Sequence, residues 1–165
     1  MPRVSLRIER AIRSGNSVER WHTRGWPVKQ SVAAHSWGVV MLLLEEAPAE
    51  ILTPDFLRVA ALHDLHESVL GDLPAPAKGL YDEIRQAFAA AEKHVDKRLF
   101  DFDRGGLTEE QEKWLLWADR MEAYLWVSWV KDTFGFPGAS RLLDQIMCSG
   151  LKKPEKGVAA GKCLP

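Results

Sequence analysis

Cysteine is scarce in this chain: Cys148 and Cys163 are the only two, both near the C-terminal end. Two late cysteines do not make the framework that staples a small secreted domain. A reducing cytoplasm, the host's for a viral chain, is therefore the expected compartment. Long apolar runs are also missing, and none approaches the ~20 residues that a membrane-spanning helix needs. The opening residues Met1, Pro2, Arg3 and Val4 lack the apolar core of a secretion signal, so a soluble protein with no membrane partner is expected. Neither sign of charge is in excess, with 22 Lys and Arg against 23 Asp and Glu. No global basic field argues for a nucleic-acid polymer as partner, and an anionic substrate needs locally placed cations. Strand-like alternation and internal repeats are absent as well.

What is present is ordinary globular composition, 46% hydrophobic and 27% charged over 165 residues, enough for one domain with a real core. That domain is expected over residues 1–150. Residues 151–165, rich in lysine, glycine and proline, read as a mobile tail. The fold class expected is all-α, a single bundle of about six helices.

The first helix is read over Ser5 to Ser14, closed by Gly15 and Asn16. From Ser31 to Glu46 apolar residues occupy nearly every side, as in a central, buried helix. Thr53 and Pro54 open another, with Phe56, Val59, Ala60 and His63 on one stripe, that ends before Gly71. Gly71 to Lys78 holds two prolines and is read as a rigid loop. Tyr81, Ile84, Phe88, Ala91, Val95, Leu99 and Phe102 repeat at steps of three and four, the period of an amphipathic helix. Thr108 to Gln111 is a capping box for a helix running to Phe134, and a shorter helix follows from Pro137 to Cys148.

Among these apolar helices stand His35, the pair His63 and Asp64, and Asp119. A histidine or aspartate facing a core costs several kcal/mol unless it is paired, hydrogen-bonded or metal-bound. Two imidazoles with two carboxylates suit a divalent ion such as Mn, Fe, Co, Ni or Zn. A single histidine on an apolar stripe is equally an ordinary hydrogen-bonded core residue, so spacing alone leaves both readings open. Glu67 lies four residues after His63, one turn along, where a carboxylate handles protons or simply meets solvent. His66 is read as a supporting or surface residue, since the order His63-Asp64-Leu65-His66-Glu67 is not the His-Glu-x-x-His of zinc proteases. Asp72 and Lys78 sit in the proline-stiffened loop, where they can face a phosphate ester. Glu19 to Arg24 gathers guanidinium, indole and imidazole groups suited to a phosphate and a sugar or base. Trp114, Trp117, Trp126 and Trp129 occupy several sides of one helix and serve the core or a subunit contact.

The chain resembles HD-domain 5'-deoxynucleotidases of the YfbR type and, more closely in size and local wording, viral dATP triphosphohydrolases of the DatZ type. The resemblance spans roughly Val18 to Val130. It rests on Glu19-Arg20-Trp21-His22, Ser31 to Ser36, His63 to Glu67, Gly71 to Lys78, and Ala118 to Leu125, in that order. The resemblance implies one divalent transition metal on His35, His63, Asp64 and Asp119, with an additional Mg2+ allowed on the substrate phosphates. Glu67 and Asp72 take the catalytic carboxylate positions. Arg20 and Lys78 contact phosphate, and Trp21 packs on the deoxyribose where a 2'-hydroxyl would collide. Ala34 departs from the pattern, since YfbR-like sequences carry an acidic residue just before this histidine. The implied reaction is hydrolysis of dATP to deoxyadenosine and triphosphate, the alternative being a 5'-deoxynucleotidase acting on monophosphates. A noncatalytic nucleotide-binding module would be expected to have lost a ligand or Glu67, and none is lost. The resemblance also implies a homo-oligomer.

Overall fold

A computed structural model of the chain describes residues 9, 13–74, 77, 81–103 and 105–155. Its helices are α1 (Val32–Glu46), α2 (Pro54–Leu62), α3 (Glu67–Leu70), α4 (Asp82–Phe100), α5 (Glu109–Phe134) and α6 (Ala139–Cys148), with a 3-10 turn at Ala49–Ile51. The expected fold class holds. The caps sit where the side chains dictate. Ser31 accepts from Ala34 N at the start of α1 and Thr53 from Phe56 N at the start of α2. Thr108 and Gln111 cap each other's backbone at the start of α5, satisfying amides that the first helical turn leaves without partners. Gly135, at φ 60°, ends α5 in the left-handed conformation that glycine adopts without strain.

The long helix α5 packs along α1 and against α6, while α1 also packs on α2. One apolar cluster joins Val39 and Leu43 of α1, Phe56 and Ala60 of α2, and Trp114 and Ala118 of α5. A second joins Trp26, Val127, Val130, Ala139 and Leu143. Burying a large apolar side chain is worth about 1.5–3 kcal/mol, so these clusters clamp the bundle at two levels. Asp119, Glu122 and Ala123 lie on α5 between those levels, which is where polar side chains can meet.

Several expectations change. A short antiparallel pair, β1 (Glu19–Arg20) and β2 (Gln30–Ser31), sets Arg20 opposite Gln30. Two residues a strand are too few for an alternating pattern to show in sequence. The helix α2 stops at Leu62 rather than continuing toward Gly71. Beyond it the chain turns through tighter bonds, Leu65 N to Leu62 O and Glu67 N to Asp64 O. The loop after Gly71 is not irregular throughout: Ala77 is helical and its amide reaches Pro74 O, as prolines permit in a first helical turn. The central helix α1 buries Val39 and Leu43 fully but leaves Trp37, Met41 and Leu44 exposed, because α2 and α5 cover only one of its sides.

The amphipathic period of α4 is real, yet Tyr81, Ile84 and Leu99 are exposed, Phe88 and Ala91 are half-buried, and only Val95 and, just past the helix, Phe102 are buried. Trp114 and Trp117 belong to the core while Trp129 is exposed. The helix read over Ser5 to Ser14 falls mostly outside the described residues, of which residues 13–15 are helical. Of the tail, Leu151 packs on the first cluster and Lys153 pairs with Glu46 above Trp114 and Trp117; residues 156–165 lie outside the described residues. No described helix is long and apolar enough to cross a membrane.

Phe56→Ala is expected to cost about 3–5 kcal/mol, since it empties the first cluster. Trp37→Ala should change stability by no more than ~0.5 kcal/mol, because its ring stands in solvent. Urea midpoints of the two variants check this.

Candidate active site

The strand pair delivers the first parts of the site. Because β2 runs directly into α1, Arg20 opposite Gln30 is held at a fixed distance from His35, one turn into α1. His35 is fully buried. His63 closes α2, and its Nδ1 lies 2.8 Å from the Ala60 carbonyl, which orients the ring so that Nε2 faces Asp64 and Asp119. The sequence reading put Glu67 on the face of His63, along a continuous helix. In the tighter turn that actually follows, Glu67 N bonds to Asp64 O, and one oxygen of Glu67 lies within 4.8 Å of an Asp64 oxygen.

His35 Nε2 is 2.9 Å from Asp119 Oδ1 and 3.6 Å from Asp64 Oδ2. His63 Nε2 is 3.4 Å from Asp64 Oδ2 and 3.9 Å from Asp119 Oδ1. One donor atom from each of the four residues lies within 4.8 Å of every other. Both imidazole Nε2 atoms are buried without an aligned hydrogen-bond partner, a costly state for groups removed from water. Two buried nitrogens and two part-exposed carboxylates, converging, fit a divalent transition metal better than they fit one another.

The electrostatics carry the same strain. Burial lowers the pKa of His63, but Asp64 and then Asp119 outweigh it and push it up to about 9. Burial works to raise Asp119, yet His35 and His63 hold it well below the usual carboxylate range; Asp64 is lowered as well, against its own burial, by His63 and Arg20. Arg20 donates to Asp64 Oδ2 at 2.9 Å. Burial works against its charge, and Asp64, Asp119, Glu67 and Asp72 together raise its pKa above the ordinary guanidinium value.

These groups open into a cavity of about 640 Å³. Asp64, Glu67 and Asp119 form its floor, Arg20, Trp21 and Arg24 one wall, and Asp72 with Pro74 part of the rim. The opposite wall belongs to α6, through Leu142, Gln145 and Ile146, with Arg120 reaching in from α5. Trp21 has φ 61°, a conformation costing a bulky residue about 1–3 kcal/mol. It is held there by stacking on Trp26 at 5.2 Å and by donation from Nε1 to Gln30 Oε1 at 2.9 Å.

Of the nine site residues expected from the sequence, Arg20, Trp21, Asp64, Glu67, Asp72 and Asp119 line the cavity, His35 and His63 join Asp64 and Asp119 in the donor cluster, and Lys78 lies outside the described residues. His66 is not a surface residue. It is buried and turned toward α4, with Nδ1 3.3 Å from Asp96 Oδ2 and Nε2 3.6 Å from Glu92 Oε1. Missed in sequence were Glu122, hydrogen-bonded to His35, Gln30, which donates to Glu122, and the α6 wall. The signal for Glu122 was its place three residues after Asp119, on the same helical face; the α6 wall has no motif.

A helical bundle that gathers a histidine from one helix, a His-Asp pair from a helix end and an aspartate from a third helix is the architecture of an HD-domain phosphohydrolase, a metal-dependent enzyme. The YfbR-like family of 5'-deoxynucleotidases matches residues 10–129, and the chain belongs to that family. Among solved structures it is similar to the HD phosphohydrolase DatZ of cyanophage S-2L, bound to dA and one catalytic Zn2+ ion. Identity is 19%, with 90% of this chain and 83% of that one covered and a TM-score of 0.68. It is also similar to a Pyrococcus horikoshii OT3 protein at 21% identity, covering 87% and 91% of the two chains with a TM-score of 0.62. A conserved hypothetical protein from Pyrococcus furiosus is 25% identical, with 86% and 93% covered and a TM-score of 0.60. No curated protein sequence matches the chain.

In the metal-free protein the raised His63 contributes stability that is complete below its ordinary value of 6.5 and is lost as pH rises toward about 9. A divalent ion taken by these donors displaces that proton. Zinc affinity is therefore expected to climb across this interval, with about one proton released per ion. Titration of Zn2+ in weakly buffered solution, reading released acid, checks it; affinity flat with pH would contradict it.

Proposed function

We propose that the chain hydrolyses dATP to deoxyadenosine and triphosphate, using one divalent ion, with Zn2+ first among Zn, Co, Mn, Ni and Fe. The observation that carries this reading is the opening of the four-donor cluster into a cavity walled by Arg20 and Trp21. A cation and an aromatic plate beside a metal cluster suit a phosphate ester joined to a sugar. The likeness to DatZ, solved with dA and Zn2+, supports a deoxyadenosine nucleotide and zinc, and the triphosphate follows from the resemblance of the local sequence wording to dATP triphosphohydrolases. Membership of the YfbR-like family supports a second reading, hydrolysis of deoxynucleoside monophosphates at the same bond.

His35, His63, Asp64 and Asp119 would hold the ion, which supplies Lewis acidity toward water and toward a phosphoryl oxygen. Water attacks the phosphorus attached to the 5'-oxygen, and the bond from phosphorus to that oxygen breaks. Glu67 and Asp72 carry the proton transfers, one from the attacking water and one to the departing 5'-oxygen. Arg20, locked to Asp64, offsets charge developing on the phosphoryl oxygens without needing to move. Lys78 is the second phosphate cation. Trp21 lies against the deoxyribose, where a 2'-hydroxyl meets its ring.

Zinc-loaded protein incubated with each deoxynucleoside mono- and triphosphate should release deoxyadenosine and triphosphate from dATP, resolved by chromatography. Turnover should fall to background with a chelator or in Asp64→Ala. Cleavage of monophosphates alone would establish the second reading, and no turnover on any substrate would refute both. Trp21→Ala should raise ribonucleotide turnover relative to deoxynucleotide turnover by roughly tenfold, the scale of one steric contact in a pocket.

A further inference from the structure

Gly38 sits inside α1, where glycine weakens a helix and no cap or turn calls for it. A Cβ at this position would lie 2.6 Å from Glu122 Cγ and 3.1 Å from its Oε1. The glycine is therefore a slot in α1 that admits the Glu122 side chain from α5, on the same face as His35 three residues earlier. In the slot Glu122 Oε2 is hydrogen-bonded to His35 Nδ1, and Oε1 accepts from Gln30 Nε2 at 2.6 Å. Gln30 is 2% exposed, and its Oε1 accepts from Trp21 Nε1 at 2.9 Å.

The polarity of this chain of bonds is determined end to end. An indole N–H can only donate, so the Gln30 carbonyl must face Trp21 and its amide must face Glu122. Glu122 then accepts on both oxygens, which makes His35 Nδ1 a donor and reserves Nε2 for the cluster, where it can give its lone pair to an ion. One half-buried carboxylate thus orients a metal-facing histidine and, through one amide, the tryptophan on the cavity wall.

We propose that Glu122 and Gln30 are positioning residues that tie metal affinity to substrate seating: Glu122 prepares His35 for the ion, and Gln30 carries the same constraint to Trp21. The inference rests on the function proposed above. Carboxylates behind metal-bound histidines raise ligand basicity and fix ring orientation. The further element here is the Gln30 arm, which reaches a residue that contacts no metal donor. It also accounts for a costly backbone: Trp21 keeps its left-handed conformation because its indole is held at both the ring face, by Trp26, and the N–H.

The test separates the two arms. Zn2+ affinity is measured by competition with a chromophoric chelator, and KM and kcat are measured on dATP and dAMP, for the wild-type chain and for Glu122→Gln, Gly38→Ala, Gln30→Leu and Trp21→Phe. Glu122→Gln is expected to lose roughly 10- to 100-fold in Zn2+ affinity. Gly38→Ala, which intrinsically favours the helix, should weaken Zn2+ in the same direction by expelling Glu122, so the effect does not depend on one variant folding. Gln30→Leu should leave Zn2+ affinity near wild type and raise KM by roughly five- to tenfold with kcat unchanged, the scale of one buried hydrogen bond. Trp21→Phe, which loses the same indole N–H together with part of the ring on the cavity wall, should raise KM at least as much as Gln30→Leu while leaving Zn2+ affinity near wild type. Wild-type Zn2+ binding and turnover with unchanged affinity in Glu122→Gln, or with unchanged KM in Gln30→Leu, would overturn the proposal alone. A wild-type chain that neither binds Zn2+ nor hydrolyses either nucleotide would overturn the proposed function and this inference with it.

Discussion

Everything around the cavity depends on bringing two imidazoles and two carboxylates out of water to one point between α1, α2 and α5. The desolvation of such groups is among the largest unfavourable contributions a small domain can carry, and the protein offsets it only in part. Asp64 has Arg20, His35 has Glu122 and His63 has the Ala60 carbonyl, yet the two Nε2 atoms that face each other across the cluster remain without aligned partners. The partners of His35 and His63 sit at Nδ1, on the far side of each ring from the cluster centre, while Arg20 bonds the Asp64 Oδ2 that faces both rings. The centre itself is left for a ligand that accepts lone pairs.

That demand explains features of the fold which packing alone does not. The polar level of α5 sits between two apolar clusters, so Asp119 is gripped from above and below. The tighter turn after Leu62 brings Asp64 and Glu67 together, with one oxygen of each within 4.8 Å of the other. The two-residue strand pair, too short to be stable by itself, survives because Ser31 is at once its last residue and the N-cap of α1. Arg20, the histidine of α1 and the strained Trp21 are thereby built from one continuous piece of backbone folded on itself.

His66 illustrates how adjacent histidines divide their work. His63 faces the cluster, whereas His66, three residues on, faces α4 and meets Asp96 and Glu92. It helps tie to the body a helix whose own apolar stripe is only partly covered. Sequence order places both in one motif, and only the direction of the turn separates them.

Much of this was readable from the chain. Caps at Ser31, Thr53 and Thr108, the stop at Gly135 and the apolar periods of α1, α4 and α5 are local chemistry, written within a few residues of where they act. The four metal-type side chains were visible as charges on apolar helices, and Arg20 and Trp21 through a familiar wording. Glu122, Gln30, Gly38 and the α6 wall were not, because their meaning lies in contacts across 87 residues between Glu122 and His35 and 92 between Glu122 and Gln30. Nor could the period of α4 say that half its stripe would stay exposed, since period reports a face and not what covers it. The sequence by itself determined which segments are helices, where they begin, and which residues carry unusual charge. Tertiary structure alone decided which of those residues meet and with what orientation, because hydrogen-bond polarity and desolvation are set by neighbours that are distant along the chain.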